Sequence, residues 1–320
     1  MNVLVEKQDL FFFKPVFQER IWGGTQLETF GYDIPNDKTG ECWAISAHEN
    51  GPSVVANGEF KELTLSELWN KQRHLFGNLE GAKFPLLTKI LDAKEDLSVQ
   101  VHPNDKYAQI NENGELGKTE CWYILDCEED AELVIGHNAQ SKEEFLSSIE
   151  DNKWDKMLRR IKIKPGDFFY IPSGTVHAIC KGTLILETQQ NSDTTYRLYD
   201  YGRRDDNGNL RELHIGKSMD VITFPHVDAN PLRNEFKQAG TLITEFINNE
   251  FFSVERWKVT GTTKLSNNNP FILASVVEGE GSISINEETY SIKKGAHFLI
   301  PCYVKEFTIE GEMVLITSHV

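Results

Sequence analysis

Short runs of branched and aromatic residues, broken by turn formers, dominate the chain. Residues 97–102 (LSVQVH), 121–126 (CWYILD), 131–136 (AELVIG), 167–171 (DFFYI) and 183–188 (TLILET) predict strands, because such side chains suit a pleated, half-buried surface. Helical spacing is rarer. Thr64 to Phe76 sets Leu65, Leu68, Trp69 and Leu75 near one face. Ser141 to Arg160 opens with Ser141-x-x-Glu144, a capping-box pattern, and continues with Phe145, Ile149, Trp154, Met157 and Leu158. Both stripes predict core packing. Many short strands with two or three helices predict a barrel or sandwich with helical decoration.

An internal near-repeat organises the chain. IKIKPGDFFYIPSGTVHAI, from Ile161, and YSIKKGAHFLIPCYVKEFTI, from Tyr290, share a basic strand end, a turn glycine, an apolar strand and a proline six residues after the glycine (Gly166/Pro172 and Gly295/Pro301). Two copies predict two similar β-units with a boundary near residues 228–242. The expected division is 1–235 and 236–320.

Composition narrows the class. At 320 residues the chain has room for about two domains. Its 39% hydrophobic content supports buried cores, which excludes disorder as the main description. A formal net charge of −16 disfavours nucleic acid and anionic membranes as partners, but not a small anion held in a locally basic pocket. No run approaches the ~18 apolar residues of a membrane span. The N-terminal stretch interrupts its apolar residues with Glu6, Lys7, Asp9 and Lys14, unlike a signal peptide. Five scattered cysteines without a CxxC pair fit reduced thiols in a cytoplasmic protein.

The candidate chemistry lies in the first repeat. Gly166-(x5)-Pro172-x-Gly174-(x2)-His177 resembles the second motif of the cupin superfamily, small jelly-roll barrels whose interior often holds a metal. The first cupin motif usually supplies His-x-His; here the sequence reads Gln100-Val-His102, whose i, i+2 spacing places both side chains on one strand face. Glu120 can add a carboxylate. Gln100, His102, Glu120 and His177 form a mixed N/O set suited to Zn²⁺ or to Mn, Fe or Co. The other histidines (His48, His74, His137, His214, His226, His297 and His319) lack that context. In the second repeat Glu306 stands where His177 would be and Tyr303 replaces the turn glycine, so one metal per chain is expected.

Longer segments resemble the type I phosphomannose isomerase family in its short bacterial form. They are Arg20-Ile-Trp-Gly-Gly24, Gly40-Glu-Cys-Trp-Ala-Ile-Ser46, Phe84-Pro-Leu-Leu-Thr-Lys89, Leu97-Ser-Val-Gln-Val-His-Pro103, Lys118-Thr-Glu120 and Asn191-Ser-Asp-Thr-Thr-Tyr-Arg197. The resemblance implies a mainly β fold of two cupin-like barrels with a few accessory helices, the C-terminal one without metal ligands. It also implies interconversion of D-mannose 6-phosphate and D-fructose 6-phosphate through a cis-enediol, with one Zn²⁺ on residues matching Gln100, His102, Glu120 and His177.

Within that resemblance Arg197 and Lys118 are expected to supply positive charge near phosphate and enediolate. Asp193 is expected to assist ring opening or orient a neighbour, and Glu187 to transfer protons, with His102 a competitor. Trp22, Glu41 and Lys89 are expected to line the pocket. Arg203 and Arg204, in the loop RRDDNGN, read as solvated turn charges. Ile179 departs from the aromatic residue the family often carries two positions after the last metal histidine. An iron-dependent dioxygenase and a non-catalytic sugar-binding cupin are the competing readings. Gln100 in place of a first histidine and the cations Arg197 and Lys118 disfavour the former; the intact ligand set disfavours the latter. Monomer and homodimer remain open.

Overall fold

The apolar runs at 121–126 and 183–188 become neighbouring antiparallel strands, Glu120–Cys127 and Thr183–Gln190, and the second is buried along its whole length. A strand buried on both faces needs cover on both sides, and that requirement shapes the molecule. In the computed structural model, which describes residues 9–205 and 207–320, these strands sit inside a six-stranded antiparallel sheet. Its order is Phe168–Ile171, Glu120–Cys127, Thr183–Gln190, Leu86–Ala93, Thr39–Ile45 and Val16–Gly24. Glu6 and Lys7, which interrupt the apolar N-terminus, lie outside the described residues.

A five-stranded sheet, Tyr196–Tyr199, Val99–Val101, His177–Ile179, Glu132–His137 and Leu158–Lys162, supplies one cover. Trp22, Leu91, Leu97, Trp122, Ile135, Ile179 and Ile185, drawn from both sheets, form one apolar cluster. The outer face of the five-stranded sheet is closed by Phe145, Trp154, Met157 and Met219 from helical segments. The six-stranded sheet turns its other face, with Cys121, Tyr123 and Leu186, toward Leu65, Leu68 and Trp69 of the helix Leu65–Lys71 and toward Phe246, Phe271 and Ile316.

Those last residues belong to a nine-stranded sheet built mostly from residues after 233, with its own core around Trp257, Ile283, Phe298 and Leu315. Phe11–Lys14 joins this sheet, pairing with His297–Pro301, so the N-terminal strand crosses the division at 235 that the repeat implies. The repeated turns share one backbone conformation: Gly166 has φ 88° and Gly295 φ 89°, values open to glycine at little steric cost. At Gly295 a Cβ would also lie 2.4 Å from the Phe30 carbonyl oxygen.

Two helix expectations shorten. The first is an α-helix only over Leu65–Lys71, with a full capping box between Thr64 and Glu67, and continues as a 3₁₀ turn over Arg73–Phe76. The second ends at Glu150, because Asn152 takes φ 54°; a single turn Trp154–Met157 follows, and Leu158 to Lys162 is a strand. The Ser141 side chain accepts from the Glu144 N–H as expected, but the Glu144 carboxylate accepts from the Gln140 N–H instead of closing the box. No described helix is long and apolar enough to cross a membrane.

Candidate active site

Strand alternation aims the polar residues inward. On the five-stranded sheet Gln100 lies between His177 on one neighbour and Arg197 on the other, in direct register. His102 follows at the strand end, and Glu120 opens a strand of the opposing sheet. His102, Glu120 and His177 are almost fully buried and offer ligand atoms within 4.8 Å of one another. Each Nε2 lies 3.3 Å from a Glu120 oxygen, His102 on Oε2 and His177 on Oε1. Each Nδ1 contacts a backbone carbonyl oxygen, Thr194 at 2.8 Å and Thr175 at 2.9 Å. If Nδ1 carries the hydrogen in both rings, as those acceptors require, the Nε2 lone pairs face Glu120.

The donor set fits a cation. Burial, and then the Lys118 charge, push His102 down to about 3, and burial also lowers His177, so both rings are neutral ligands at pH 7. Glu120 stays ionised: burial would raise its pKa, but Lys118 and the two histidines carry it well below the usual carboxylate range. Its Oε1 accepts no hydrogen bond although buried. The Lys118 ammonium contacts Glu120 Oε2 and lies 3.0 Å from His102 Nε2, so these atoms already attract positive charge. The Gln100 amide lies 3.3 Å from His177 Nε2, and turning it by half a rotation presents its oxygen as a fourth ligand.

A second polar row crosses the six-stranded sheet, where Trp122, Glu187, Lys89 and Trp43 pair in register on four adjacent strands. Trp122 Nε1 donates to Glu187 Oε1 at 3.1 Å, and the Lys118 and Lys89 ammoniums lie 4.0 and 3.8 Å from the same carboxylate. Burial and then the Glu120 charge raise Glu187 to about 7, with both lysines opposing. Glu41 has a different fate in the same wall. Burial acts upward, but Lys89 and the bidentate Arg20 pair at 2.8 and 3.2 Å hold it down at about 2. Two buried carboxylates are thereby held at opposite ends of the acid range.

These rows border a cavity of about 440 Å³. Trp22, Glu41, Lys89, Gln100, Lys118, Glu187, Asp193 and Arg197 all line it, and His102 and His177 contact it through Lys118 and Gln100. Ile179 forms part of the wall where an aromatic residue was in question. Asp193, at the rim, is held by Asn50 at 2.5 Å and lies 3.4 Å from His48 Nε2, a histidine that sequence context had set aside. Arg197 donates to Ser98 and to the Glu212 carbonyl, and among the described residues makes no ion pair with Asp193.

Sequence reasoning missed Arg20 and Arg211, which also line the cavity. It also misread Arg203. That guanidinium is only partly exposed and is engaged within the protein: it bonds the Asp96 carbonyl and, at 2.6 Å, the buried Asp200. Arg204 is an exposed turn charge bonded to the Gly208 carbonyl, as expected. No local pattern in RRDDNGNLREL announces that Asp200 will be buried and gather arginines around it.

Similarity to known proteins agrees with this architecture. Residues 10–135 match the family described as phosphomannose isomerase type I, catalytic domain, and residues 242–320 match mannose-6-phosphate isomerase, cupin domain. The chain is 60% identical to mannose-6-phosphate isomerase ManA of Bacillus subtilis, covering 96% of this chain and 98% of that one. It is 48% identical to mannose-6-phosphate isomerase of Streptococcus mutans, covering 96% and 97%. The crystal structure of a mannose 6-phosphate isomerase from Bacillus subtilis superposes with a TM-score of 0.97 at 54% identity, over 98% of this chain and 100% of that one. Identity at this level along both β-units, over a fold that places a His–Glu–His centre at the cavity, makes the chain a member of the type I phosphomannose isomerase family.

Proposed function

We propose that the protein is a metal-dependent aldose–ketose isomerase that interconverts D-mannose 6-phosphate and D-fructose 6-phosphate through a cis-enediol. One observation carries the reading: a buried His–Glu–His cluster adjoins a cavity whose carboxylate, Glu187, is tuned close to neutrality. His102, Glu120 and His177, with Gln100, would hold a single divalent ion, Zn²⁺ by the two-imidazole, one-carboxylate set. When bound, that ion polarises the carbonyl and stabilises enediolate charge.

The chain's own side chains account for the remaining demands. Proton transfer between C1 and C2 needs one group that takes a proton from one carbon and returns it to the next. Glu187 suits that task, since a base works best with its pKa near the working pH. His102 suits it poorly, because Thr194 occupies one ring nitrogen and the metal would occupy the other. Burial works against the Lys118 charge, yet Glu120 and Glu187 outweigh it and raise its pKa, so it and Arg197 bring fixed positive charge to phosphate and enediolate. Asp193, half-open at the rim beside His48, would assist ring opening or orient a neighbouring group. Glu41, kept ionised by Arg20 and Lys89, orients sugar hydroxyls, and Trp22 offers an apolar face.

A phosphorylated substrate and five free thiols favour a reducing cytoplasm. The division at residue 235 is proposed with one amendment, that Phe11–Lys14 goes with the C-terminal unit. The test is a coupled assay of mannose 6-phosphate conversion before and after chelation. Activity should vanish with the metal and return with Zn²⁺; full turnover by metal-free protein would overturn the reading.

A further inference from the structure

We propose that Arg211 is a specificity-determining residue that, beside Arg197, binds the phosphate of the substrate, and that buried Asp200 positions it. The proposal rests on the sugar-phosphate reading above and names a part of the site that it left unassigned. Arg211 and Arg197 both line the cavity. Asp200 is 5% exposed and accepts from Arg211 through Nε at 2.8 Å and one terminal nitrogen at 2.5 Å. Its Oδ1 also accepts from Arg203 at 2.6 Å.

Two guanidiniums therefore pair with one buried carboxylate, and Arg197 lies close enough to feel its charge. Asp200 offsets one of those charges, and Arg203 is further committed to the Asp96 carbonyl. Glu212, the other acid acting on Arg197, has a side chain 82% exposed, where water screens it. Excess positive charge thus remains at the cavity side of the cluster. The pairing also fixes an orientation, because it engages one edge of the Arg211 fork and leaves the other terminal nitrogen without a hydrogen bond among the described residues. Arg197 is held likewise, by Ser98 on Nε and the Glu212 carbonyl on one terminal nitrogen. Burial and then the neighbouring Arg211 lower the Arg197 pKa, with Asp200 opposing, so like charges are held close together here. A phosphate dianion relieves that repulsion and accepts from both forks. Phosphate is the class that fits, because in the bound ground state the sugar hydroxyls carry no charge to match two arginines.

The test compares holoenzyme with Arg211→Gln, Arg211→Lys and Asp200→Asn, using two readouts. Steady-state kinetics with mannose 6-phosphate and with mannose give a selectivity ratio, and titration with inorganic phosphate gives a Kd. Arg211→Gln should lower the ratio by about 10- to 100-fold, mainly through KM for the phosphorylated sugar, and weaken phosphate by a similar factor. Arg211→Lys, which keeps charge and loses the fork, should fall between. Asp200→Asn should resemble it, and adding it to Arg211→Gln should cost nothing further. Loss of turnover on both sugars in equal proportion, or a phosphate Kd within twofold of wild type, would overturn the assignment. Wild-type enzyme inert toward mannose 6-phosphate would sink the isomerase reading instead, and the phosphate Kd values would still decide the role of Arg211.

Discussion

Glu187 stands directly across from Lys89 on the neighbouring strand, with its Oε2 3.8 Å from the ammonium. Such a partner alone would lower a carboxylate pKa, yet burial and the Glu120 charge overcome it and leave Glu187 at about 7. A base must be ionised to act, so kcat/KM should fall about tenfold per pH unit below its apparent pKa. A dication on Glu120 cancels part of the charge that raises Glu187, so in the metal-loaded enzyme this limb should lie at or somewhat below pH 7. Glu187→Gln should cut kcat by about 10²- to 10⁴-fold and remove the limb. A variant that keeps the wild-type acid limb would reassign the base.

His177 contributes the third corner of the cluster, with its Nδ1 fixed on the Thr175 carbonyl. Changing it to Ala should weaken metal binding by more than about 100-fold, since even partners of a ligand are worth 10–100-fold. Metal content by elemental analysis and isomerase activity should fall together. Stoichiometric metal in an active His177→Ala protein would show that the cluster is not the metal site.

Arg197 lies beside Gln100 in the sheet but touches none of His102, Glu120 or His177 among the described contacts. Arg197→Ala should therefore leave metal content intact while lowering kcat by about 10²- to 10³-fold, the scale for loss of one donor to developing negative charge. Loss of metal alongside turnover would point to disruption of the sheet edge rather than to missing charge.

Spacing made one half of the site legible. Gln100 and His102 share a strand face because side chains alternate, and Lys118 and Glu120 meet for the same reason. The turn chemistry of Gly166 and Gly174, both at positive φ, marked where His177 would emerge. What stayed hidden was non-local. Arg211 lines the cavity while paired with buried Asp200, and nothing within the loop sequence signals that burial. Arg20 finds its role only through Glu41, which lies beside it on the next strand. The helix expected through Arg160 failed at Asn152, where one left-handed residue outweighed a continuing apolar stripe. Phe11–Lys14 pairs with a strand nearly three hundred residues away in sequence, a contact no local pattern encodes.

The same kind of distant contact yields a stability prediction. The Tyr32 hydroxyl meets His297 Nε2, and the other ring nitrogen lies 2.8 Å from Ser275 Oγ, so one buried chain joins the N-terminal region to the C-terminal sheet. Burial holds His297 down at about 3, so the ring is neutral and needs a partner at each nitrogen. Tyr32→Phe leaves Nε2 unpaired inside the protein, at a cost of about 1–3 kcal/mol. Tm should drop by about 1–5 °C. Tyr32 lies outside the cavity wall, so kcat should hold near its wild-type value. The histidine adds a pH signature. Its folded pKa is depressed below the unfolded value of about 6.5, so the unfolded chain binds the extra proton between pH 6.5 and about 3. Stability should therefore decline as pH falls through that window, and His297→Gln should shallow the decline. An unchanged Tm in Tyr32→Phe would show that the surrounding rings hold the two regions without the hydroxyl and its contacts to His297 and the Gly295 carbonyl.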